Sequence, residues 1–283
     1  MNGRGRLAAA VLLLGLLTWP SSTGAQVRVG VERTVDEARW HFDNPSSYDT
    51  PELVPHFFEQ TYDLDNTWFV AEASYRAGID WRTSIAATPV RQAVATDYDT
   101  FFNPGSVVWV SGTTGDARLH SIRLMQALDL GRLGGVRLGG GYRLRVDVAD
   151  FLEGDRTDTR NGVVVARQLV TTREYTNGQS HELFVEGAHT TDLAPAWQLR
   201  VTGQVSPAAI QRLAIRLPDK YPGRTLVYRT TNLAVSGEIE LVRGRGRWPL
   251  TLRAGALRSF NYGSRQTLVR RGAHVGVGLG RTW

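Results

Sequence analysis

Hydrophobic residues recur along this chain with a period of two, and polar residues fill the other parity. The stretch 136–148 is the clearest case. Val136, Leu138, Gly140, Tyr142, Leu144, Val146 and Val148 share one side, while Arg137, Gly139, Gly141, Arg143, Arg145 and Asp147 share the other. Successive strand side chains point to opposite faces, so this alternation predicts a strand that is apolar on one face and charged on the other. A soluble sandwich can carry the same alternation. Three arginines on one strand, however, fit a water-filled lumen better than a packed core.

The pattern recurs in about ten segments. The outward sets are Val27, Val29 and Val31; Phe69, Ala71, Ala73 and Tyr75; Trp81, Thr83, Ile85 and Ala87; Ile122, Leu124, Leu128 and Leu130. After the 136–148 strand come Leu183, Val185 and Gly187; Trp197, Leu199, Val201 and Val205; Leu233, Val235, Ile239 and Leu241; and Leu250, Leu252, Ala254, Ala256 and Phe260. In the last segment Val275, Val277 and Leu279 alternate with Gly276, Gly278 and Gly280. The inward partners include Glu72, Arg82, Arg123, Glu182, Glu186, Arg200, Thr202, Glu238, Glu240 and Arg253.

Connections sort by length. Those around 78–80, 131–135, 191–196 and 243–247 are short, and those at 35–66, 94–116, 151–180 and 206–225 are long. Short turns at one end and long loops at the other are the asymmetry of outer-membrane barrels, whose strands number evenly. The expected fold is therefore all-β: an antiparallel transmembrane β-barrel with short periplasmic turns and long outer loops. The segment 163–175 also reads as a strand, followed by a Thr176-Asn177-Gly178 turn signal; counted as a span it breaks the parity, so it is expected to project as a ribbon from the third outer loop. Trp81, Trp197, Trp248 and Trp283 fall near the short-turn ends, where a membrane-interface girdle is expected.

Composition changes the picture in three ways. Arg4 and Arg6, an apolar run at 7–19 and the small residues Thr23-Gly24-Ala25 predict a secretory signal peptide at 1–25 and a barrel domain at 26–283. Beyond it no apolar run is long enough to span as a helix, and the mean hydropathy of −0.24 suits a barrel whose lumen half is polar. The absence of cysteine excludes a disulfide framework, thiol nucleophiles and CxxC metal sites. The net charge of +6 on an exported chain argues against nucleic acid and for anionic lipid. A terminal strand ending on the aromatic Trp283 resembles the signal that bacterial outer-membrane barrels present to their assembly machinery, although Arg281 holds an outward position that is usually apolar there. Bacterial outer membrane is the expected location.

Candidate chemistry is sparse. There is no HExxH, GxSxG or phosphate loop, and no metal or cofactor is expected. Arg265, Arg270 and Arg271 fall in the last outer loop, placed to meet lipopolysaccharide phosphates. Asp97 and Asp99 stand two residues apart in the second outer loop, ahead of Asn103-Pro104-Gly105. Crowded carboxylates raise one another's pKa, which suits a general base. This Asp-x-Asp with its Asn-Pro-Gly sequel resembles the omptins, ten-stranded outer-membrane proteases. The resemblance implies that Asp97 and Asp99 activate water together with an Asp-x-His pair in the fourth outer loop. Here the fourth loop, 206–225, holds no histidine; of the histidines, His41 and His56 lie in or near the first loop and His274 faces inward at the start of the last strand.

Three functions remain in view: a non-enzymatic integral barrel (structural, narrow pore or surface-binding), an omptin-like aspartate-type endopeptidase using Asp97 and Asp99, and a loop-mediated adhesion or recognition protein. The mixed-sign inward face predicts a cross-linked polar plug, because buried charges need partners.

Overall fold

The computed structural model describes residues 25–43, 56–77, 79–102, 108–219, 222–244, 248–262 and 266–282, with thirteen strands in order. They are β1 (Gln26–Asp43), β2 (His56–Asp63), β3 (Asn66–Ala77), β4 (Ile79–Ala87), β5 (Arg91–Phe102), β6 (Val108–Leu133), β7 (Val136–Arg160), β8 (Val163–Leu169), β9 (Arg173–Ala194), β10 (Trp197–Arg216), β11 (Leu226–Arg243), β12 (Leu250–Asn261) and β13 (Gln266–Thr282). The signal-peptide stretch, Asn103-Pro104-Gly105, Arg265 and Trp283 lie outside the described residues.

Two pairs of strands each act as one wall. β1 pairs with β3 along its lower part, up to Thr34↔Asn66, and with β2 from Glu37↔Asp63 upward. Likewise β6 pairs with β4 below Ile122 and with β5 above Leu119. Side chains bridge the two interruptions. Asp65 accepts from the Asp36 amide at 3.0 Å, and Thr88 Oγ1 accepts from the Ser121 amide at 2.8 Å beside Pro89, which has no amide proton to give. Counted as walls, ten antiparallel strands form a ring that closes where β13 runs beside β1 from Gln26↔Thr282 to Phe42↔Gln266. The barrel expected from periodicity is the one found.

Among the described residues, much of what was expected as outer loop is strand. β6 has 26 residues and β7 has 25, whereas about 10 suffice to cross a bilayer as a tilted strand. Most of the residues expected in loops at 35–66, 94–116, 151–180 and 206–225 continue the walls instead. Along these extensions the apolar parity inverts. In β7, Leu144, Val146 and Val148 face out while Arg145 and Asp147 face in; four residues later Asp150 faces out and Phe151, fully buried, faces in. In β6 the outward Ile122 and Leu124 give way to outward Arg118 and inward Leu119, and in β1 the outward Val29 and Val31 give way to Arg39 and inward Trp40. A wall with an apolar outer face is matched to hydrocarbon, and one with an apolar inner face is matched to water.

The ribbon exists with different ends. β8 pairs only with β7, as a projection beside the ring, and its turn is Asn161-Gly162, whose φ values of 51° and 79° are those of a tight hairpin. Thr176-Asn177-Gly178 is not a turn but ladder inside β9, opposite Asp147, Val148 and Ala149, and Tyr175 belongs to that barrel strand. Gly178 faces the Trp40 ring, where a Cβ would stand in ordinary contact at 3.7 Å. At the other end of the barrel Trp81 is the third residue of β4 and Trp197 the first of β10, and Trp248 sits in the β11–β12 connection with the Arg281 guanidinium 5.5 Å from its ring.

Candidate functional site

The interior is filled in three zones stacked along the barrel axis. The zone inside the apolar-clad part is ionic. Arg28 bridges Glu72 at 2.6 Å and Glu240, and Arg253 reaches Glu72 from the other side at 3.7 Å. Arg82 holds Glu186 at 2.6 Å, Arg143 holds Glu182 at 3.1 Å, and Arg123 grips both oxygens of Glu32 at 3.1 Å. Asp36 accepts from Arg145 at 2.7 Å and Arg270 at 3.0 Å, and both arginines also contact Asp147. His274 meets Glu238 at 3.1 Å, and Arg137 meets Asp129 at 3.4 Å near the turns. The inward glycines of β13 make this possible. A Cβ at Gly272 would meet Asp36 at 3.0 Å, at Gly276 Arg253 at 3.1 Å, and at Gly278 Arg28 at 3.1 Å. About 140 Å³ stays open among these side chains.

Above it lies a greasy plug. Trp40, Tyr62, Leu64, Leu119, Phe151, Leu213, Ile215 and Leu268 are all buried and packed together, leaving about 30 Å³ beside them, room for no more than a water or two. Trp68, with no exposed surface, sits where the zones meet: the guanidinium groups of Arg123 and Arg145 lie 5.1 Å from its ring, and its indole N–H donates to Thr34 at 3.1 Å.

At the level of the plug and beyond it is a polar cup. Gln60 and Glu174 are buried from opposite walls, and the Gln60 amide donates to the Glu174 carboxylate at 2.5 Å. Tyr62 donates to the same oxygen at 3.3 Å and bonds Thr176 at 2.9 Å. Burial, with the Glu174 and Asp97 carboxylates nearby, pushes the Tyr62 phenol well above its ordinary range, so it stays a donor. Asp97 belongs to this cup. It is buried, faces inward on β5, and stands beside Gln60 of β2 and Thr113 of β6. Asp99 follows two residues along the same strand, and its side chain lies outside the described residues.

The histidines stand elsewhere. His41 faces the outer surface beside Glu59, His181 bonds the outward Tyr142 at 2.7 Å, His189 reaches the Gly135 carbonyl at 3.0 Å in a turn, and His120 alternates with buried Leu119 and Ser121. The His56 side chain lies outside the described residues. Among the described residues only His274 enters the lumen. It does not begin β13, as expected, but sits within it, six residues from Leu268, roughly 20 Å along the strand. Leu268, Trp40, Gln60 and Asp97 are successive neighbours across the sheet, so Asp97 and His274 occupy different zones.

The basic trio separates as well. Arg270 is not in a loop: it lies in β13, points inward and is buried on Asp36 and Asp147, out of reach of lipid. Its neighbour Arg271 has the other parity, stands outside and pairs with Glu37 at 3.0 Å.

Among solved structures the chain is similar to the outer membrane protease OmpT from Escherichia coli, with 8% identity over 94% of this chain and 99% of that one and a TM-score of 0.63. The ten-stranded barrel is the fold the two share. The translocator domain of the autotransporter NalP from Neisseria meningitidis matches with 11% identity over 99% of this chain and 98% of that one, TM-score 0.38. The beta domain of the Bordetella autotransporter BrkA matches with 14% identity over 93% and 100%, TM-score 0.35. No protein-family model matches the sequence, and no curated protein does.

Proposed function

We propose that this is an integral protein of the bacterial outer membrane, exported by its N-terminal signal, whose lumen is closed to passage and whose work is surface binding by the half that stands above the lipid. The carrying observation is the greasy plug: Trp40, Tyr62, Leu119, Phe151, Leu213 and Leu268 are buried and packed together across the lumen, with about 30 Å³ left beside them. The short turns then face the periplasm, and the extended walls with the β8 ribbon face outward. β8 favours recognition because Val163, Val165 and Leu169 are exposed at 66%, 50% and 75% on a strand with neighbours on one side only. Lipid contacts the outward belt, Arg271 is the residue proposed to meet lipopolysaccharide phosphate, and the assembly machinery is proposed to read β13 and its terminal aromatic. Reconstitution in a planar bilayer is the test. The purified barrel is expected to stay silent, and regular conductance steps would overturn the closed-lumen reading in favour of a narrow pore.

A second reading has its own observation. The inward, buried position of Asp97 and the fold shared with a protease support an aspartate-type endopeptidase using Asp97 and Asp99. Placing a histidine-dependent site there meets the difficulty that the lumen histidine stands in another zone. Peptide-library cleavage abolished by Asp97→Ala would establish this reading; no cleavage by the wild type retires it.

A further inference from the structure

One cation of the ionic zone has been left out of its pairing. Arg200 faces the lumen from β10 near the turn end, between Glu240 of β11 and Thr190 of β9. The other arginines described in that zone each hold a carboxylate. Among the described residues Arg200 has none within 4.0 Å, and its Nε is buried without a hydrogen-bond partner. The carboxylates that act on it, Glu240 and Glu186, are already bonded to Arg28 and Arg82, and Arg82 and Arg137 repel it. A guanidinium whose Nε is buried without an acceptor, and whose attracting carboxylates are committed to other arginines, leaves a charge that an anion entering the cavity can satisfy.

The surroundings fit such an acceptor. Arg200 and Arg137 both line two adjoining cavities of about 280 and 300 Å³, the lower end of the small-molecule range. The same space is bounded by neutral hydrogen-bonding groups of Gln26, Ser74 and Thr190 and by the carboxylates Asp80, Asp129, Glu186, Glu72 and Glu240, each of which is already paired with Arg76, Arg137, Arg82 or Arg28, so that Arg200 is the cation in excess. Two guanidinium groups with hydroxyl and amide donors offer more hydrogen bonds than a carboxylate can accept, and they match the several oxygens of a tetrahedral oxyanion.

We infer that this vestibule binds a phosphate group, as free phosphate or as a phosphate monoester, through Arg200 with Arg137 in support. The outer-membrane reading makes the vestibule periplasmic, but the binding itself does not depend on that reading. The test is isothermal titration of the folded full-length barrel in detergent with inorganic phosphate and, separately, with glycerol phosphate as the headgroup fragment. Saturable binding of either is expected, and the stronger of the two identifies the source. Arg200→Gln is expected to weaken it about ten- to a hundredfold, the loss of a charge-assisted hydrogen-bond pair, and Arg200→Lys by less. Arg118→Gln, on the outer wall, leaves it unchanged. Because Arg200 carries no internal ion pair, Arg200→Gln is expected to unfold no earlier than wild type without phosphate, and phosphate is expected to raise the unfolding midpoint of the wild type alone. No saturable binding of either ligand, or equal binding by Arg200→Gln, overturns the inference.

Discussion

The two halves of this barrel solve opposite problems with the same ten walls. Below, where the outward side chains are Val29, Leu124, Leu183, Val201, Leu252 and Val277, the interior is ionic and is tied together mainly by charge pairs. Above, where Arg39, Arg118 and Asp150 face out, the interior is Trp40, Leu119, Phe151 and Leu213. The backbone ladder runs through the boundary without interruption in β6 and β7; only the parity of the side chains changes. The strand follows its surroundings, not its register. Hydrocarbon outside removes any gain from sending apolar groups inward, so the lumen is left for polar cross-links. Water outside restores that gain and the core returns to the middle.

The largest loss is expected from unpairing the lower half. Asp36 holds two arginines, Arg145 and Arg270, both buried beside it. Asp36→Asn leaves two buried guanidinium groups to share the single carboxylate of Asp147 and is expected to cost about 3–5 kcal/mol of unfolding free energy, measured by denaturant unfolding in vesicles. A loss below about 1 kcal/mol would mean that water, not Asp36, is solvating the guanidinium groups. In the upper half the same magnitude should come from an apolar truncation. Phe151→Ala is expected to cost about 3–5 kcal/mol by the cavity it opens, and to be accompanied by small conductance steps if the plug is what seals the lumen.

Next in size is a charge placed on the outer wall. Val277→Arg, in the belt, is expected to cost about 2–4 kcal/mol, whereas Thr114→Arg, outward in the upper half of β6, is expected to stay within about 0.5 kcal/mol. Equal costs would erase the boundary drawn from the side-chain parity.

The lower half was legible in the sequence because lipid imposes one rule on every strand it touches, and Val275, Val277 and Leu279 obey it as plainly as Val136 to Val148 do. The upper half reads as loops because the rule reverses there. Once Phe151 takes the parity that Arg145 and Asp147 held, a search for outward apolar residues loses the strand although the alternation continues. Arg270 and Arg271 show what that loses: treated as loop neighbours they look equivalent, and as strand neighbours one is a buried ligand of Asp36 and the other a surface charge. Two Asn-Gly dipeptides pose the same difficulty: Asn177-Gly178 lies in the ladder opposite Val148 and Asp147, whereas Asn161-Gly162 takes positive φ and makes the turn. The cup of Gln60, Tyr62 and Glu174 had no local motif to betray it. Its members come from distant strands, and the alternation of Glu174, Thr176 and Ser180 with outward Tyr175 was its one trace.

The smallest expected effect separates outside from inside within the upper half. Asp150 accepts two hydrogen bonds from Arg173, at 2.9 and 2.6 Å, on the water-facing surface. Those bonds, more than the partial burial that opposes them, hold the Asp150 carboxyl below the usual aspartate range. A carboxyl whose folded pKa is depressed adds stability above its unfolded pKa, about 3.9, and that stability is lost as the pH falls through the folded value. Asp150→Asn is therefore expected to lower the unfolding midpoint slightly at neutral pH, by the same amount at pH 5, and not at all in strong acid, where the wild type has lost the pair too. Because both partners are wet, high salt should shrink the neutral-pH difference as well. The Asp36 pairs, sealed under Trp68 and the plug, should keep their contribution in the same salt. A midpoint shift at Asp150 that rivals the Asp36→Asn loss, or that ignores salt, would mean that this outer wall is not facing water and that the boundary lies higher than β7 puts it.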